Sequence, residues 1–209
     1  MAPPNSGESF WATEGIPSAM ESETPFVSSS AEEISDNTEA TEKDEKTMDQ
    51  KVLVAYFSAT GTTRPLAEYA ADILNADLYE IIAAEPYTDA DLAYYTGGRA
   101  DQEQNDPSAR PGISGSVENL AQYDTILLGY PIWHGQAPRI IRTFLESHDF
   151  SGKTIIPFCT SHSSGAGSSA DNLHSLCSDT AEWMGATRFA GGTSKSEIAA
   201  WLDSMLPDR

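Results

Sequence analysis

Residues 51–63 read KVLVAYFSATGTT, and the fold is decided there. Residues 51–57 are almost all apolar, the pattern of a strand buried on both faces. The chain then passes through Ser58-Ala59-Thr60-Gly61-Thr62-Thr63 straight into a helix whose first turn carries Pro65. Unpaired backbone N–H groups at a helix N-terminus attract anions. Gly61 permits a conformation that a β-carbon would block, and Ser58, Thr60, Thr62 and Thr63 add hydroxyls without bulk. One or two hydroxyls would suit an ordinary capped turn. Four around a glycine, after the first buried strand, point to a phosphate cradle, one that lacks the lysine of the Walker loop.

Outward from this stretch, strands alternate with amphipathic helices. The helix after the cradle reaches about residue 75, with Leu66, Ala70, Ile73 and Leu74 on its apolar face. Residues 77–82 read as a second strand, 83–115 as polar and irregular chain, and 117–122 as a short helix. A third buried strand covers 125–129 (TILLG), and Pro138 opens a helix to Glu146. A fourth strand spans 154–159, a helix lies around 170–177, and a weak fifth strand at 186–190 is expected to run uninterrupted into the last helix. That helix opens with Ser194-Lys195-Ser196-Glu197, a capping-box spacing, and buries Ile198, Trp201, Leu202 and Met205. This alternation implies an α/β fold, a parallel sheet with helices on both faces, whose ligands bind beyond the C-terminal strand ends. The loops after strands one, three and four should therefore carry the chemistry.

Charge divides the 209-residue chain near residue 50. Residues 1–49 hold 12 acids against Lys43 and Lys46, while the rest holds 20 acids and 10 bases. The first segment is rich in Ser, Thr, Glu and Pro and has no apolar period, so it is expected to be a disordered acidic tail, with residues 50–209 as the single domain. A partner-binding segment around Phe10-Trp11 is the alternative, and translation starting at Met48 would leave most of the tail out. A net charge of −20 offers no basic field for nucleic acid or anionic membrane surfaces. No apolar run approaches the ~20 residues of a membrane helix, and no secretory leader is legible, so a cytoplasmic protein is expected.

Gly129-Tyr130-Pro131-Ile132-Trp133-His134-Gly135-Gln136-Ala137-Pro138 follows strand three, and Thr160-Ser161-His162-Ser163-Ser164-Gly165-Ala166-Gly167-Ser168-Ser169 follows strand four. With Ala55–Thr63, these loops resemble those of flavodoxins, and the likeness spans residues 51–206. The resemblance implies a flavodoxin-like three-layer sandwich with a five-stranded parallel sheet of order 2-1-3-4-5 and flavin mononucleotide (FMN) at the strand ends. Carried over, Ser58, Thr60, Gly61, Thr62 and Thr63 would contact the phosphate. Pro131, Ile132, Trp133, His134 and Gly135 would cover the flavin, and Thr160, Ser161, His162, Ser163 and Gly165 would border its polar edge. Trp133 is placed to stack on the ring, or else it packs down beneath the loop. His134 contacts flavin or substrate, or is a partly solvated loop histidine. Many flavodoxins carry a Tyr in the loop after strand four, where this chain has only His162. The outer flavin face is then open, or covered by Tyr87, Tyr94 or Tyr95.

Residues 131–133 and 138–146 also resemble flavodoxin-fold quinone reductases. The resemblance thus implies electron transfer through FMN, by a carrier meeting a redox partner protein or by an NAD(P)H-dependent enzyme reducing quinones or similar small acceptors. A non-redox FMN-binding or regulatory module is the reading from another class. No side chain is assigned a catalytic role. The four histidines lack metal-ligand spacing, so no metal is expected, and His148 and His174 read as surface positions. Cys159 and Cys177 read as small hydrophobes. Gly165-Ala166-Gly167-Ser168-Ser169-Ala170 has a dinucleotide-like spacing but lies well beyond the strand end, and Gly152-Lys153-Thr154 precedes a strand rather than a helix, so neither is assigned a nucleotide.

Overall fold

The computed structural model describes residues 51–207; the acidic segment 1–49, with Phe10-Trp11 and Met48, lies outside the described residues. Strand β1 (Val52–Tyr56) is central, pairing in parallel with β2 (Asp77–Glu80) on one side and β5 (Thr125–Pro131) on the other. Beyond β5 lies β6 (Thr154–Thr160), and beyond that the pieces β7 (Glu182–Trp183) and β8 (Thr187–Phe189), both parallel to β6. Counting the last two as one edge strand, the order is 2-1-3-4-5.

Alternation along the strands divides the core in two. Leu53, Ala55 and Phe57 join Ile126, Leu128 and Tyr130 on one face, under Ile140, Ile141, Phe144 and Leu145 of α4 (Arg139–Glu146). Val54 and Tyr56 join Leu127, Ile156 and Phe158 on the other, under α1 (Arg64–Leu74) and α5 (Lys195–Met205). Fully burying a side chain such as Leu, Ile or Phe contributes roughly 1.5–3 kcal/mol, so both faces are well secured. The capping box of α5 is formed: Ser194 Oγ accepts from the Glu197 amide and the Glu197 carboxylate accepts from the Ser194 amide.

Four features differ from the sequence reading. The edge strand starts earlier than residue 186: a two-residue piece, β7, precedes β8, and between them Met184, Gly185 and Ala186 stand opposite only Ile156 and Pro157 of β6, a one-residue bulge at a proline with no N–H to give, while β8 leads on to the last helix as expected. The helices expected near 117–122 and 170–177 are 3-10 turns, Leu120–Gln122 and Asp171–Leu176. His148 is not a plain surface residue, because Nε2 accepts from the Val117 amide at 3.2 Å while Nδ1 meets the Phe144 carbonyl at 2.9 Å. Finally, residues 83–115 are ordered into elements. An antiparallel pair, β3 (Ile82–Ala83) and β4 (Ile113–Ser114), closes the base of an excursion that carries α2 (Asp89–Leu92) and α3 (Arg99–Asn105).

Candidate functional site

At the C-terminal ends of β1, β5 and β6 the loops enclose a cleft of about 610 Å³. Thr60 and Thr62 reach it from the first loop, Pro131, Ile132, Trp133 and His134 from the second, and Thr160, Ser161 and His162 from the third. Ser58, Gly61, Thr63, Gly135, Ser163 and Gly165 do not line it. Leu92, Tyr94, Ala100 and Asp101 of the excursion do, together with Ala190 and Gly191 after β8. A mostly apolar cleft of this size with a few convergent polar groups suits a small molecule or cofactor.

The first loop is built by a division of labour among its hydroxyls. Ser58 Oγ accepts from the amides of Thr63 and Arg64 at 3.1 and 3.3 Å, so it caps α1. Thr63 is fully buried, its hydroxyl bonded to that of Thr160 at 2.8 Å, which ties the first loop to the third. Both were expected at a phosphate, and both are committed within the protein. Thr60 and Thr62 remain, exposed and 3.3 Å apart, around Gly61 at φ +79°, where conformation rather than space requires glycine. Arg64 is taken by Glu80 at 2.5 Å and supplies no free cation to the cradle.

In the second loop, Trp133 and Gln136 exchange two backbone hydrogen bonds of 2.9 Å across His134 (φ +49°) and Gly135 (φ +74°). Positive φ at both central residues makes this a type I′ turn. The Trp133 ring is not a free-standing platform. The residue is 8% exposed and packs edge-on against Phe57 at 5.5 Å and Tyr87 at 5.2 Å. Packing beneath the loop, the alternative for this residue, describes it, and its remaining surface forms part of the cleft wall. Tyr87 is itself half-buried. Its hydroxyl donates to Glu103 at 2.5 Å, and the Arg99 guanidinium lies 4.0 Å from its ring centre.

The third loop is pinned from below. Arg188 Nε donates to Ser161 Oγ at 3.0 Å, and Nη2 donates to the carbonyls of Ser161 and His162 at 2.8 and 3.0 Å. Ser161 Oγ in turn donates to the Ser164 carbonyl. Burial pushes the Cys159 and Cys177 thiols up to about 11, so both are neutral near pH 7 and act as apolar groups.

Helix α3 contributes what sequence reasoning missed. Asp101 is only 6% exposed and meets His134 Nε2 at 2.8 Å. Burial alone would raise its pKa, but hydrogen bonds from the Gly97 amide and His134 outweigh it and hold the carboxyl below its ordinary value. One turn on, Gln104 donates to the carbonyls of Trp133 and Ala137 at 3.0 and 3.3 Å and accepts from the Arg139 amide at 3.0 Å, fixing the second loop onto α4. The available signal was the run Arg99-Ala-Asp-Gln-Glu-Gln-Asn105, mostly good helix formers after a glycine.

A flavodoxin family model matches residues 51–205. A protein from Bacteroides eggerthii assigned as a flavoprotein is 45% identical, covering 74% of this chain and 96% of its own, with a TM-score of 0.68. A similarly assigned protein from Bacteroides uniformis is 41% identical over 74% and 98% of the two chains, with a TM-score of 0.70. A Lactobacillus acidophilus flavoprotein in complex with FMN is 25% identical over 73% and 98%, with a TM-score of 0.52.

Proposed function

The chain belongs to the flavodoxin family, and from that premise we propose that it is a redox flavoprotein that holds FMN in the cleft and passes electrons through it. The observation that carries this reading is the convergence of three loops on one cleft of about 610 Å³. The residues present fit the group. Thr60 and Thr62, flanking a glycine in the left-handed region, offer hydroxyls for the phosphate, and the backbone amides of residues 60–62 make no backbone hydrogen bond within the described chain. Anion binding here rests on neutral donors at a helix start, since Arg64 is already paired. Pro131, Ile132 and Trp133 on one side and Thr160, Ser161 and His162 on the other supply the walls for a flat ring system. When bound, FMN supplies the electron chemistry; the chain binds, orients and shields it.

Two modes are compatible with this site: a carrier serving a redox partner protein, and an NAD(P)H-dependent reductase of quinones or similar small acceptors. The buried Asp101 against His134 on the cleft wall favours the reductase, because a carrier has no need of a carboxylate-oriented imidazole there. The purified protein should be yellow, with one FMN per chain and no FAD. A colourless protein that does not take up added FMN would overturn the proposal. NADH or NADPH should bleach the flavin without a helper protein if the reductase mode holds, and should leave it oxidised in a carrier.

A further inference from the structure

The excursion between β3 and β4 places a polar and aromatic corner on the cleft, made by Tyr94, Asp101 and His134. Asp101 is gripped on two sides: Oδ2 accepts from the Gly97 amide at 3.1 Å, and Oδ1 faces His134 Nε2 at 2.8 Å. A carboxylate can only accept, so it fixes the proton of a neutral imidazole on Nε2. Nδ1 is then the nitrogen that takes up and releases a proton, and among the described residues nothing is bonded to it. The His134 side chain keeps 20% of its surface exposed, against 8% for Asp101.

A structural role alone explains this corner poorly. A type I′ turn forms most readily with Asn-Gly or Gly-Gly at its centre, so the turn itself does not call for an imidazole. Tyr94 stacks beside the His134 ring at 5.3 Å and 26°. Tyr95, 85% exposed at φ +60°, meets the same ring edge-on at 5.4 Å. A bulky aromatic in the left-handed region is an outlier, and here it sets a second phenol ring beside the first.

We propose that His134, set by Asp101, is a catalytic proton donor to a planar ring-conjugated carbonyl acceptor, of the quinone class, bound against Tyr94. This rests on the cofactor reading above and deepens it. Two-electron reduction of a quinone to a hydroquinone requires two electrons and two protons. A hydride from a donor of the dihydroflavin class brings both electrons and one proton. The second proton passes from Nδ1 of the imidazolium to the carbonyl oxygen; the Nδ1–H bond breaks, the O–H bond forms, the neutral ring is left with its proton on Nε2 toward Asp101, and solvent reprotonates Nδ1. The flat Tyr94 ring suits the ring of such an acceptor, Leu92, Ala100 and Ile132 supply apolar walls, and the imidazole supplies the proton. Asp101 is a positioning residue.

The test compares two acceptors on the FMN-loaded protein, reduced anaerobically. Menadione needs protons, whereas ferricyanide takes electrons alone. His134→Asn suits the left-handed turn, so the ratio of the menadione rate to the ferricyanide rate, both taken per bound flavin, should fall by about 100-fold. Asp101→Asn should keep its oxygen toward the Gly97 amide and turn its NH₂ toward Nε2, so the ring proton moves to Nδ1 in imidazole ¹⁵N spectra and the menadione rate alone drops. Flavin-loaded His134→Asn that reduces both acceptors at wild-type rates, or slows on both equally, would overturn the proposal by itself. A wild-type spectrum in which the neutral imidazole carries its proton on Nδ1 would do the same. A protein without flavin would remove the cofactor reading and the proposal with it, and flavin content separates the two failures.

Discussion

Thr60 and Ser58 sit two positions apart in the same loop, yet only Thr60 offers its hydroxyl to the cleft, because Ser58 is spent on the amides at the start of α1. Composition made the loop legible as a cradle but could not apportion its hydroxyls, since capping and anion binding draw on the same residue types. Trp133 shows the same limit. A tryptophan between proline and glycine reads as a surface aromatic, and only the tertiary approach of Phe57 and Tyr87 buries it. The apportionment predicts that Thr60→Val, by removing a hydrogen bond to a charged phosphate, loses about 1.5–3 kcal/mol. FMN affinity measured by fluorescence quenching should fall about 10- to 100-fold, while riboflavin, which has no phosphate, should bind as before. Equal losses for the two ligands would place the phosphate elsewhere. Ser58→Ala should instead lower the melting temperature, because it uncaps a helix.

At the scale of elements, the three strands of the sheet interior and the three long helices follow from apolar period alone. Helix α3 does not, for a physical reason. Its inward residues are Ala100, Asp101 and Gln104, a short face that is mostly polar, and a hydrophobicity pattern cannot register a helix that buries hydrogen-bonding groups. The cleft residues Ala100 and Asp101 were hidden with it. Gln104 is the test of how much that helix matters. Gln104→Leu keeps the bulk but leaves the Ala137 carbonyl and the Arg139 amide without this partner, and the Trp133 carbonyl with only the Gln136 amide. Each buried polar group left unsatisfied costs roughly 1–3 kcal/mol, so urea unfolding should show a loss of about 2–4 kcal/mol, allowing for partial rescue by water. Gln104→Glu should not rescue it, because a carboxylate cannot donate to the two carbonyls. A loss below the scatter of surface substitutions would mean that the 133–138 turn is held by its own backbone pair.

For the whole molecule, charge and local carboxylate chemistry set opposite demands on pH. Among the described residues, Asp91 is held below its ordinary value by hydrogen bonds from Thr88, Asp106 by Ser108, Asp149 by Ser151 and Glu197 by Ser194, while Arg110 does the same for Glu146. A carboxyl whose folded value is depressed contributes stability that is complete above its unfolded value, and this is lost as pH falls through the folded one. These groups therefore weaken the fold below about pH 4. Glu103 runs the other way. Burial raises it above its ordinary value, so its contribution is lost as pH rises through that value. On the neutral side the formal charge is −20, and self-repulsion relaxes as pH falls toward the isoelectric point near 4.3. The two trends predict a melting temperature that peaks on the mildly acidic side, at about pH 5–6, and falls steeply below pH 4. Added salt should raise the neutral limb, where repulsion is screened, and leave the acid limb in place. Removing residues 1–47 should preserve the acid limb, because every carboxylate named for it lies within residues 51–207. A melting profile flat from pH 7 down to pH 3, or an acid limb that disappears with the truncation, would contradict this account.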